Sequence, residues 1–233
     1  MTVWAYGDSW TAGDQDSPQN STSYLQILEN ERYKISYVAH FAKSINATLK
    51  NKAYPGSGNF PQLDLLLFDL HREKIKKNDI IIFGVTAANR DRANIAFDGQ
   101  YPIGDHIKGG PSTLSKELFA ENIWLNDHFM TLATLDKIKS VYGIRLYSVY
   151  AFSRPTDEHD KYFETLISDL SLMDVLCGEK YLSNNHPGHI LSAIPQEFRH
   201  LFTDRGHPSP VGHRHLGDWL YNVHKKYEKS FHI

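Results

Sequence analysis

Three residues into the chain lies an unbroken apolar run, Val3-Trp4-Ala5-Tyr6, and Gly7 cuts it off. A run that short, without polar alternation, suits a strand with both faces covered, as in the middle of a parallel sheet. Covering both faces takes helices, so the run commits the chain to an α/β architecture. The glycine marks a turn. Side chains just past a strand's carboxyl end in an open α/β sheet line the crevice where ligands bind, and Asp8 and Ser9 occupy that place.

The rest of the chain supplies matching elements. Asp79-Ile-Ile-Ile-Phe-Gly84 is the clearest further strand, because four consecutive apolar residues end at a glycine. Ala47 to Ala53 reads as a strand ending at a Pro55-Gly56 turn, and Ile144 to Tyr150 as a fourth. A fifth is expected within Phe163 to Cys177, after a helical start. Tyr37, Val38, Phe41, Ala42 and Ile45 recur at helical spacing, as do Leu63, Leu66, Leu67 and Leu70, and then Leu118, Leu125, Phe129, Leu132 and Ile138. Ser209-Pro210 opens a last helix whose Val211, Leu216, Trp219, Leu220, Val223 and Tyr227 lie along one face. The chain of 233 residues is expected to form one domain spanning its whole length.

A serine hydroxyl is a weak nucleophile and needs a base in hydrogen-bond reach, and the base needs a third group to hold its tautomer. Near the other end, Asp204-Arg-Gly-His207-Pro-Ser-Pro sets a carboxylate three residues before an imidazole in a loop that leads into the last helix. Ser9 is thus the candidate nucleophile, His207 the base and Asp204 the orienting acid.

Gly7-Asp8-Ser9-Trp10-Thr11 with Gly13, and Asp204-x-x-His207-Pro-Ser, resemble the first and last blocks of the SGNH, or GDSL-like, hydrolases. The resemblance runs in order over nearly the whole chain, on short motifs. It implies a flavodoxin-like three-layer α/β/α sandwich around a mostly parallel sheet of about five strands. It also implies hydrolysis of esters, thioesters or sugar-linked acetyl groups by Ser, His and Asp. Asn51-Lys-Ala-Tyr-Pro-Gly56-Ser-Gly-Asn59 looks like the second block, which puts Gly56 beside Ser9 as a backbone donor to the oxyanion. The third block, normally Gly-x-Asn-Asp, reads Gly84-Val-Thr86-Ala-Ala-Asn89-Arg-Asp91 here. Either the Thr86 hydroxyl replaces the amide donor or Asn89 reaches back from the loop. Asp8, Trp10 and Arg154, the last at the exit of the fourth strand, are candidate substrate contacts.

Composition narrows the partners. With 25 Lys+Arg against 27 Asp+Glu the chain has no general attraction to nucleic acid or to an anionic membrane. One cysteine, Cys177, excludes an internal disulfide and a Cys-x-x-Cys metal site. Thirteen histidines include no His-Glu-x-x-His pattern, so neither metal nor cofactor is expected. The given chain shows no export signal and no run near the ~20 apolar residues of a membrane span, and a cytoplasmic protein is expected. The polar segment from Gly13 to Ser23 and the long connection from Arg90 to Ser115 are candidate specificity loops. The reading is a serine hydrolase acting on a lipid-type ester or a glycan O-acetyl group. The alternative is a non-catalytic or weakly active protein of the same fold that binds a glycan or protein partner.

Overall fold

The computed structural model describes residues 1–14, 34–72, 74–86, 121–152, 163–178, 194–204 and 206–230. In chain order the elements are β1 (Thr2–Tyr6), α1 (Ser9–Ala12), α2 (Tyr37–Ser44), β2 (Thr48–Asn51), α3 (Asn59–His71), β3 (Ile80–Val85), α4 (Glu121–Tyr142), β4 (Arg145–Tyr150), α5 (Leu172–Cys177) and α6 (Pro210–Ser230). A short 3-10 turn, Gln196–Leu201, precedes α6.

The strands form one sheet in the order β2-β1-β3-β4, and every pairing is parallel. Val3 stands beside Leu49 on one side and Ile80 on the other, so the opening apolar run is an interior strand, as its composition requires. The strand order reverses direction at β1 and β3, and the crevice of such a sheet opens at the carboxyl ends of those two strands.

Alternation of side chains across the pleat sorts the apolar residues into two cores. Val3, Ala5, Ile80, Ile82, Tyr147 and Val149 pack with α2, α5 and α6, through Phe41, Leu176 and Leu220 among others. Trp4, Tyr6, Ile81, Phe83 and Leu146 pack on the opposite face with Leu63 and Leu66 of α3 and Leu132 and Leu135 of α4. The result is the expected three-layer α/β/α arrangement. Each fully buried Val, Ile or Phe contributes ~1.5–3 kcal/mol, so the unbroken apolar strands are the main thermodynamic drive of the fold.

The sheet has four strands among the described residues where about five were expected. The segment after residue 162 touches the edge at a single parallel bridge, Ser148 to Leu166, with Ser148 N–H donating to Thr165 O at 2.7 Å. Pairing stops there because the next residues favour a helix. Ser171 and Asp174 form a reciprocal capping box that starts α5 at Leu172.

Two features set the site-bearing ends. Asp79, buried below β3, accepts from Thr2 N–H at 2.7 Å and Trp4 Nε1–H at 3.1 Å, which fixes the height of β1 against β3. On α6, a Cβ at Gly217 would overlap His40 Cβ and come within 3.0 Å of Tyr37 O, so only glycine lets α6 lie this close to α2. Cys177 is buried, and burial followed by the Asp174 charge pushes its thiol up to about 11. Among the described residues no helix is long and apolar enough to cross a membrane.

Candidate active site

Ser9 is the first residue of α1, one turn of helix set directly on the exit of β1. Gly7 makes the corner at φ 150°, and a Cβ there would overlap the Thr11 side chain. Asp8 caps the turn, its Oδ1 accepting from Trp10 N–H at 3.0 Å. Gly13 ends it in the left-handed region at φ 81°, donating to Ser9 O. The turn is rigid at both ends, and the side chain of Ser9 is held where β1 stops.

His207 comes from the opposite end of the chain. Thr203 and His207 close a tight loop: Thr203 N–H donates to His207 O at 2.8 Å, and His207 N–H donates to Thr203 Oγ1 at 3.1 Å. Ser209 then anchors the start of α6, its Oγ donating to His200 O at 2.9 Å and accepting from Gly212 N–H at 3.2 Å. This places His207 Nε2 at 3.0 Å from Ser9 Oγ, across 198 positions of sequence. Asp204 lies in the same loop and is exposed. Among the described residues no hydrogen bond or ion pair joins its carboxylate to His207.

The two expected backbone donors are those of Ser9 and Gly56. Neither Ser9 N–H nor Gly56 N–H donates a hydrogen bond among the described residues. Gly56 has φ 75°, and a Cβ built on it would meet nothing within 4 Å, so its surroundings are open. Thr86 differs. Its N–H donates to Asn59 Oδ1 at 2.9 Å and its hydroxyl to Asp8 Oδ2 at 2.8 Å. A hydroxyl carries one proton, so in this geometry Thr86 has none to offer an oxyanion. Asn89 and Arg154 lie outside the described residues, as do residues 15–23 and 90–115 of the two candidate loops.

Of the candidate substrate contacts, Asp8 is 0% exposed and serves as cap and as acceptor for Thr86. Trp10 is 2% exposed, with its ring edge-on to Phe152 at 5.1 Å and Phe202 at 6.2 Å. The indole is committed to the core beneath the loop that carries His207. The side chains of the first turn of α3 were not anticipated as part of the site, Asn59 having entered only as the last residue of the second block. Asn59 and Gln62 are buried there and bond to the strand exits. Their signal was two amides on the helical stripe of Leu63, Leu66 and Leu70, where apolar residues belong.

No family model matches the chain, and no curated protein matches it. Among solved structures it is similar to a putative lipolytic protein of the G-D-S-L family from Desulfitobacterium hafniense DCB-2, at 15% identity and TM-score 0.45 over 95% of this chain and 98% of that one. It is also similar to a catalytic mutant of Axe2, an acetylxylan esterase from Geobacillus stearothermophilus, at 14% identity and TM-score 0.46 over 95% and 93% of the two chains. A third likeness is to TesA, at 12% identity and TM-score 0.41 over 96% and 97%. At that distance the reading of function rests on this chain's own residues.

Proposed function

We propose that the chain is a serine hydrolase that cleaves carboxylic esters through Ser9 and His207. The observation that carries the reading is the 3.0 Å contact between Ser9 Oγ and His207 Nε2, made by residues from opposite ends of the chain at the mouth of the sheet. His207 takes the Ser9 proton as Oγ attacks the acyl carbonyl, and the oxyanion forms against the Ser9 and Gly56 N–H groups. The tetrahedral intermediate expels the alcohol, which leaves with the proton from His207. Water, deprotonated by His207, then attacks the acyl-serine and frees the acid.

Asp204, three residues before His207 in the same loop, is assigned the orienting role. It sits exposed, where solvent screens its charge, so its contribution is smaller than that of a buried triad acid. Catalytic hydrogen bonds of this kind tighten in the substrate complex. Asn89 is the side-chain candidate for a third oxyanion donor, because both donors of Thr86 have other partners.

That commitment of Thr86 also supports the second reading, a crevice that binds a glycan or protein without turnover. A fluorophosphonate separates the two. Hydrolysis predicts covalent labelling of the wild type at Ser9 and none in Ser9→Ala, whereas an unlabelled wild type that hydrolyses no short activated ester sinks the enzyme reading.

A further inference from the structure

We infer that Asn59 and Gln62, on the first turn of α3, are positioning residues that lock the three strand exits of the site into one register. The inference rests on the serine hydrolase reading of Ser9 and His207. Both side chains are nearly sealed from solvent, at 1% and 3% exposure. Their polar atoms reach all three exits. Gln62 Oε1 accepts from Gly7 N–H at 2.9 Å, two residues before Ser9, and Gln62 Nε2 donates to Ser57 Oγ at 3.0 Å, next to Gly56. Asn59 takes both sides of Thr86, with Oδ1 accepting from its N–H at 2.9 Å and Nδ2 donating to its carbonyl at 3.3 Å. Thr86 in turn donates to Asp8, the cap of the turn that carries Ser9.

Packing alone does not call for these amides. The neighbouring positions of the same stripe are Leu63, Leu66 and Leu70, all buried against the sheet. Two amides in that stripe are tolerated only because each finds backbone or hydroxyl partners, and those partners all lie at the site rather than elsewhere on the sheet. The consequence is geometric. The oxyanion donors sit on segments leaving different strands, and their spacing is set by whatever ties those segments together. A misplacement of about 1 Å in such a constellation costs ~10^2 in rate.

The test replaces Asn59→Ala and Gln62→Met and follows four quantities: kcat and KM for a short activated ester, the second-order rate of fluorophosphonate labelling, and Tm. In the labelling step the Ser9 Oγ–P bond forms, the P–F bond breaks, fluoride leaves and the hydroxyl proton passes to His207. We expect both kcat and the labelling rate of folded protein to fall by ~10 to 10^2, with KM changed by less than about threefold. Gln62→Glu keeps an acceptor for Gly7 N–H and should fall between wild type and Gln62→Met; it stands in if the harsher variants do not fold. Variants that melt earlier yet label at the wild-type rate would show a merely structural role and overturn the inference alone. A wild type that is never labelled would overturn the hydrolase reading and this inference with it.

Discussion

Lowering the pH should unfold this protein through one buried histidine, His213, on the first turn of α6. It is 0% exposed, its Nδ1 accepts from Tyr37 N–H at 3.3 Å, and its Nε2 has no partner among the described residues. An Nδ1 that accepts places the single proton of the neutral ring on Nε2. A second proton would create a charge in the core between α2 and α6. Burial, and then the neighbouring His40 and His207, push the group down from 6.5 to about 3. In the unfolded chain the ring binds its proton below 6.5, while the folded state refuses it until about 3. Stability is therefore fully present above that upper value and falls as pH drops, by about 1.4 kcal/mol per unit. The loss is a few kcal/mol by about pH 4.5 and approaches roughly 5 kcal/mol at the lower end, a large share of the ~5–15 kcal/mol of a typical domain. His213→Gln keeps an acceptor for Tyr37 N–H and removes the titration. Urea unfolding across this range should give a wild-type stability that falls more steeply than the variant's by that slope, and the His213 ring should not titrate by NMR near neutral pH. Parallel curves, or a ring titrating near 6.5, would refute the argument.

Three further outcomes follow from the site and its supports. Ser9→Ala and His207→Ala should each lower kcat by ~10^4 to 10^6 on a short activated ester, with Asp204→Asn costing clearly less because its carboxylate is exposed; equal losses in steady-state kinetics would contradict that ranking. Thr86→Val removes the donor to buried Asp8, so the effect expected is ~1–3 kcal/mol of stability in urea unfolding and less than the ~10^2 to 10^3 loss in kcat that removal of an oxyanion donor brings. Gly217→Ala should force α6 away from α2 and lower Tm, at ~1–3 kcal/mol; an unchanged Tm in a thermal melt would mean the two helices separate freely.

The apolar runs Val3–Tyr6 and Ile80–Phe83 and the helical stripes were legible in sequence because each signal is local. A strand buried on both faces has to be apolar throughout, and a helix packed on a sheet has to repeat its apolar residues every third or fourth position. Four strands and the helices that cover them stand where those patterns put them, within a few residues. The candidate nucleophile and base were legible for the same reason, since glycine, serine and the Asp-x-x-His spacing are local marks of loops at strand and helix ends. The expected fifth strand was not decided locally. The apolar residues after Ser171 suit strand or helix alike, and the capping box together with the packing of Leu172, Met173 and Leu176 resolved them as a helix, whereas the helical start expected at Phe163 is instead a turn that leads to the bridge at Leu166.

What no local pattern carries is which atoms meet. Ser9 and His207 stand 3.0 Å apart across 198 positions because α6 docks on α2 through Gly217 and the Thr203–His207 loop is closed on itself. Thr86 gives its proton to Asp8, Trp10 is drawn into the core, and Asn59 and Gln62 reach three strand exits at once. The side-chain types fix what each residue is able to donate, accept or bury, and that much is written in the sequence. Hydrogen bonds act over about 3 Å, so the choice among able partners is made only when the strands and helices have come into register in three dimensions.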